Sequence, residues 1–123
     1  YKKVKNINND ILVLGRNNFD IKKFSNKEIK EFMSVHSSKG LEAENVILIN
    51  LNDGLYGFPN KIINSKLIEE LHPSDKSFLF AEERRLFYVA LTRTKNKVYI
   101  LVPFFSKSIF IKELKKIICL SMI

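Results

Sequence analysis

The sequence reads as an α/β domain built on a mainly parallel sheet, and three observations carry that reading. Four short apolar runs recur along the chain: Ile11 to Leu14, Phe32 to Val35, Val46 to Leu51 and Val98 to Val102. They are nearly free of polar alternation, as strands buried on both faces are. Stretches with helical spacing lie between and after them, at Ile62 to Leu71, Glu82 to Thr94 and around Ile111 to Ile118. Strands alternating with helices imply parallel pairing through right-handed crossovers, with helices on both faces of the sheet.

Each element has its own justification. Residues 1–9 are polar, basic and Asn-rich and read as a frayed lead-in or linker, leaving 10–123 as the folded unit. The run Ile11 to Leu14 ends at Gly15, which places Arg16, Asn17 and Asn18 at the carboxyl end of a strand. Residues 19–30 mix Lys, Asn, Asp and Ser and form a connection with room for one helical turn. Phe32 to Val35 then enters a polar turn, and Lys39-Gly40-Leu41-Glu42 is expected to open a short helix before the strand at Val46. Residues 52–60 carry two glycines and a proline among turn formers, so neither helix nor strand continues there.

Ile62 to Leu71 places Ile63, Leu67, Ile68 and Leu71 on one helical face and stops before His72-Pro73. Glu82 to Thr94 has acids in its first turn and Arg93 and Lys95 near its end, as the helix dipole favours, around a middle that is apolar all round. Pro103 ends the run from Val98. In the tail, Ile111, Leu114, Ile117 and Ile118 face one way and Lys112, Lys115 and Lys116 the other, an amphipathic helix that docks on the sheet. Phe104-Phe105 is assigned to the core, with base stacking as the alternative.

Bulk properties narrow the classes. A chain of 123 residues is about one domain, and a net charge of +8 suits an anionic partner such as nucleic acid or a merely lysine-rich surface. Cys119 is the only cysteine, so no internal disulfide or cysteine-rich zinc site forms, in keeping with a reducing cytoplasm. The longest apolar run has eight residues and contains Pro103, against about 20 for a membrane span. The first residue is Tyr1 rather than Met, so the chain reads as part of a longer one.

Chemistry gathers in Ser34-Val35-His36-Ser37-Ser38-Lys39-Gly40-Leu41-Glu42. Polar side chains and free N–H groups at the carboxyl ends of strands make an anion site there, with phosphate the first expectation. Residues 34–42 resemble motif V of the UvrD/Rep group of superfamily 1 helicases. Residues 82–94, Glu-Glu-Arg-Arg-Leu-Phe-Tyr-Val-Ala-Leu-Thr-Arg-Thr, resemble motif VI of the same group. The Gly57-Phe58-Pro59 turn between them also matches, and Ile11 to Asn18 resembles the strand-then-Arg segment before motif V. The short connection after Arg16 and the Gly-Leu-Glu-Ala wording resemble the helicase IV branch.

The resemblance implies the RecA-like second lobe of an ATP-dependent 3′–5′ DNA helicase, with ATP and Mg²⁺ in the cleft against a first RecA-like lobe of the same polypeptide. By the same resemblance Arg93 reaches the γ-phosphate, Glu42 contacts the ribose and Gly40 lets backbone approach the nucleotide. A permanently charged planar fork suits the first task, and a carboxylate the second. Ser34, His36 and Ser37 would contact phosphates of single-stranded DNA, with a structural histidine as the alternative for His36 and with Arg16 and Asn18 as weaker candidates. Glu82, Glu83, Arg84 and Arg85 read as an ion-pair lattice that holds the helix.

No Gly-x-x-x-x-Gly-Lys-Ser/Thr loop and no acidic pair after a strand occur in the sequence, so the phosphate cradle and the Mg²⁺ ligands are expected from the first lobe, and the fragment alone is expected to be inactive. Two other functions fit the same motifs: a helicase-like ATPase that remodels RNA polymerase, and a non-enzymatic nucleic-acid-binding remnant.

Overall fold

In the computed structural model, residues 10–23, 31–62 and 80–117 are described. Four strands, β1 (Ile11–Gly15), β2 (Phe32–Ser34), β3 (Ala43–Leu48) and β4 (Thr94–Ile100), form one sheet in the order β2-β1-β3-β4, every pair parallel. β1 sits between two partners and is buried along its whole length, as its unbroken apolar sequence requires. Leu12 pairs with Val46 and Leu14 with Leu48, so these four side chains share one face; Ile11, Val13, Ile47 and Ile49 share the other.

Two helices, α1 (Ala81–Leu91) and α2 (Ile109–Ile117), pack on the Leu12 face through Phe87, Ala90, Phe110 and Ile111. Phe58, from the Gly-Phe-Pro turn, completes this layer. Its ring meets Phe87 edge-on at 5.5 Å and Phe110 at 5.9 Å, and Phe87 stacks on Phe110 at 5.2 Å. Gly57 is what admits that turn, since a Cβ there would lie 2.2 Å from the Asn52 carbonyl oxygen. Buried Ser108 ties the same turn to α2, its hydroxyl donating to the Phe58 carbonyl and accepting the Phe110 N–H at 3.2 Å.

Several expectations change. No helix opens at Lys39–Glu42. A 3-10 turn runs instead from His36 to Ser38, Gly40 takes the left-handed φ of 83°, and Leu41 and Glu42 lead straight into β3. Serine hydroxyls account for the difference: Ser38 Oγ donates to the Val35 carbonyl at 2.7 Å and Ser34 Oγ accepts the Ser37 N–H at 3.3 Å, both in competition with a helical ladder. β3 begins at Ala43 rather than Val46 and leaves the ladder after Leu48. β4 begins at Thr94 rather than Val98, because an edge strand of the described sheet tolerates the exposed Lys95, Asn96 and Lys97. α1 ends at Leu91, two residues before Arg93, and its middle is not buried all round: Tyr88 is 66% exposed.

The tail helix is present, with Ile111 buried and Leu114 against the core. Phe104 and Phe105 are not core; they stand 81% and 80% exposed on the turn after β4. Both described helices lie on one face of the sheet. The expected lead-in at residues 1–9, residues 63–71 of the helix expected from Ile62, and Ile118 lie outside the described residues.

Candidate functional site

The polar residues singled out in the sequence fall at the two ends of the sheet. Gly15 pairs with Ser34 where β1 and β2 end, so Arg16, Asn18, Ser34, His36 and Ser37 collect at the carboxyl edge. Ser34 is buried, its hydroxyl 3.0 Å from that of Ser37, while His36, Ser37 and Asn18 are exposed. Glu42 and Arg93, by contrast, lie at the amino ends of β3 and β4, whose first residues Ala43 and Thr94 pair. The expectation that every ligand group gathers at the carboxyl ends therefore fails for these two. A strand of six residues separates the two groups by about 20 Å.

Glu42 and Arg93 are neighbours through the backbone, because the Ala43 N–H donates to the Arg93 carbonyl at 3.0 Å. Arg93 follows the last turn of α1, where its own N–H donates to the Ala90 carbonyl at 3.3 Å and its Nε to the Val89 carbonyl at 3.2 Å. These two bonds fix the base of the guanidinium. Its terminal nitrogens have no partner among the described residues, and Glu42 is exposed and unpaired there too. A positioned cation and an exposed carboxylate on adjacent strand starts suit one ligand carrying both an anion and hydroxyl donors. Gly40 is required by its positive φ; a Cβ there would touch nothing within 4 Å, so crowding is not the constraint.

Arg16 is engaged differently from the DNA contact expected of it. Its Nε lies 2.9 and 3.0 Å from the two carboxylate oxygens of Glu83, and its Nη2 lies 2.7 Å from one of them; the side chains are only 11% and 12% exposed. Glu83 also accepts the Asn60 N–H at 2.9 Å. Asn60 Nδ2 donates to Asn17 Oδ1 at 3.2 Å, and Asn17 Nδ2 donates to the Tyr56 carbonyl at 2.8 Å. Fully buried Asp20 accepts the Asn17 N–H at 2.8 Å and Asn50 Nδ2 at 2.7 Å. This network joins the end of β1, the turn at 50–60 and the start of α1. Asn17, Asp20, Asn50 and Asn60 were not among the predicted site residues; their only signal was a density of Asn and Asp after the strands.

The expected ion-pair lattice on α1 exists, but its partners lie mostly elsewhere: Glu83 holds Arg16, Arg84 holds Glu113 of α2 at 2.7 Å, and only Arg85–Glu82, at 3.8 Å and exposed, is internal. A cavity of about 530 Å³ runs along α1 from Arg16, His36 and Asn60 past Arg85 to Val89, the residue whose carbonyl holds Arg93. Among the described residues no cluster of His, Cys, Asp or Glu is arranged to hold a metal ion, and no helix is long and apolar enough to cross a membrane.

Residues 2–103 match the family described as the UvrD-like helicase C-terminal domain. The chain belongs to that family. Its four-stranded parallel sheet with helices is accordingly the α/β, RecA-like second lobe of such helicases. It is 42% identical over 87 residues to DNA helicase IV of Escherichia coli strain K12, covering 71% of this chain and 13% of that protein. It is 40% identical over 70 residues to the ATP-dependent DNA helicase Rep of Buchnera aphidicola subsp. Schizaphis graminum, covering 56% and 8%. DNA helicase II of Haemophilus influenzae is 36% identical over 74 residues, 57% of this chain and 8% of that protein. The chain thus spans about an eighth or less of the length of the relatives it matches.

Proposed function

We propose that this chain is the second motor lobe of an ATP-dependent 3′–5′ DNA helicase or translocase that works in the cytoplasm. The observation that carries the proposal is the placement of Glu42 and Arg93 on adjacent strand starts, where the Ala43 N–H donates to the Arg93 carbonyl, with the Arg93 guanidinium anchored at Nε and its terminal nitrogens unpaired among the described residues. In this reading Arg93 offsets charge on the γ-phosphoryl group and Glu42 accepts hydrogen bonds from the ribose, with Gly40 shaping the approach. A first RecA-like lobe of the same polypeptide supplies the phosphate loop and the Mg²⁺ ligands, for which this sequence has no counterpart.

Ser37 and His36 contact the phosphates of single-stranded DNA at the carboxyl edge, and Ser34 orients Ser37 through their shared hydroxyl contact. Asn18 remains a candidate beside them. Arg16 serves first as the buried partner of Glu83. ATP closing the cleft would pull Arg93, and α1 with it, while the Arg16–Glu83–Asn60 network carries that displacement to the DNA edge. Names among the relatives support DNA unwinding over remodelling of RNA polymerase.

The test is duplex unwinding by the full-length protein on substrates with a 3′ or a 5′ single-stranded tail, with and without ATP. ATP-dependent unwinding of the 3′-tailed duplex alone is expected. ATP hydrolysis indifferent to DNA would favour the polymerase-remodelling reading, and no hydrolysis the remnant.

A further inference from the structure

Beside the network at the carboxyl edge, two aromatic rings stand in solvent. Phe19 is 42% and Tyr56 55% exposed, and their rings meet edge-to-face at 5.6 Å. Neither belongs to the hydrophobic clusters of the core.

The pair rests on a rigid base. Phe19 lies between Asn17 and Asp20, which are tied by the Asn17 N–H to Asp20 carboxylate bond at 2.8 Å and by the Asp20 N–H to Asn17 carbonyl bond at 3.1 Å. The Tyr56 carbonyl is held by Asn17 Nδ2, and Asp20 beneath is fully buried. Holding two large rings apart from the core at fixed spacing forfeits their burial, about 1.5–3 kcal/mol for each ring fully covered. The rings stand 77° apart, a corner in which a flat group can lie on one ring against the edge of the other.

Position and charge select the partner. The rings share the carboxyl edge with exposed Asn18, His36 and Ser37, the set that would follow a phosphate chain. The chain carries a net charge of +8, which favours a polyanion, and the exposed rings favour one with planar, unstacked groups. Resting on the reading of the function above, we infer that Phe19 and Tyr56 form a stacking platform for an unpaired base of single-stranded DNA. Stacking takes any base, as movement along arbitrary sequence demands. The polar base then links the occupied platform to α1: Asn17 bonds Asn60, and Asn60 bonds Glu83.

The test uses the full-length protein and two fluorescent probes of equal length, oligo-dT and an abasic phosphodiester strand, in equilibrium titrations at fixed salt. Phe19→Leu and Tyr56→Leu keep apolar bulk and remove the ring; Tyr56→Phe and Phe19→Tyr keep it. The leucine variants should lose about 5- to 100-fold in affinity for oligo-dT, with affinity for the abasic strand within about twofold of wild type. The aromatic variants should bind oligo-dT like wild type. Equal loss on both probes, or undiminished oligo-dT binding, would overturn the platform. Failure of the wild type to bind either probe would overturn the helicase reading instead.

Discussion

Replacing Glu83 with alanine removes the partner of a guanidinium that the fold has enclosed. The Arg16 and Glu83 side chains are 11% and 12% exposed, three contacts of 2.7–3.0 Å join them, and the same carboxylate accepts the Asn60 N–H. Deleting one member of a buried pair costs about 3–5 kcal/mol, because the survivor keeps its desolvation cost without its counter-charge. Partial exposure of both groups puts the expectation at the lower end, about 3 kcal/mol. For a domain of this size that is a fall of roughly 10–15 °C in midpoint. The check is urea unfolding followed by helix circular dichroism for Glu83→Ala, Arg16→Met and the double variant Arg16→Met/Glu83→Leu. The double variant should be more stable than Glu83→Ala, since it leaves no buried charge behind. A cost for Glu83→Ala under about 1 kcal/mol, as exposed pairs give, would show that burial adds nothing to this pair.

Other substitutions probe the remaining supports. Gly57→Ala should destabilise by at least about 2 kcal/mol, measured by the same unfolding, because a Cβ 2.2 Å from the Asn52 carbonyl meets backbone that cannot step aside. Ser108→Ala should cost about 1–2 kcal/mol, since the hydroxyl both caps α2 at the Phe110 N–H and holds the Phe58 carbonyl; calorimetry would read it as a lower midpoint. Asn60→Ala keeps its backbone bond to Glu83 but loses the link to Asn17. In the full-length protein it should leave ATP hydrolysis without DNA near wild type and weaken the stimulation by oligo-dT.

What the sequence disclosed follows from where each signal is local. Ile11–Gly15 is apolar throughout and was legible as a buried strand. The tail helix was equally plain, because its lysines and isoleucines alternate at helical spacing. The start of β4 was hidden, since Thr94–Lys97 is an exposed edge segment whose ladder to β3 is the only thing that makes it a strand. Lys39–Glu42 failed as a helix because serine hydroxyls capture nearby backbone groups and Gly40 turns left-handed. Phe104 and Phe105 showed that two adjacent aromatic residues carry no burial information without periodicity.

The candidate site was legible only in its local parts. Motif order led to Arg93, Glu42 and His36, and the fold brings Arg93 beside Glu42 by pairing two strands fifty residues apart in sequence. Composition could not tell that Arg16 is committed to Glu83, 67 residues away. Nor could it separate Asn17 and Asn60, which carry the network, from Asn18, which stands free in solvent. Long-range polar pairing leaves no periodic trace.

Arg93 is proposed to act on the phosphate of a nucleotide held by another lobe. The most direct measurement is single-turnover ATP hydrolysis by the full-length protein saturated with single-stranded DNA, for wild type, Arg93→Ala and Arg93→Lys, with ATP affinity titrated in parallel. Arg93→Ala should lower the hydrolysis rate at least about 10³-fold while ATP affinity changes less than tenfold, and Lys should restore little of the rate because it lacks the planar fork. Hydrolysis within tenfold of wild type in Arg93→Ala would contradict it.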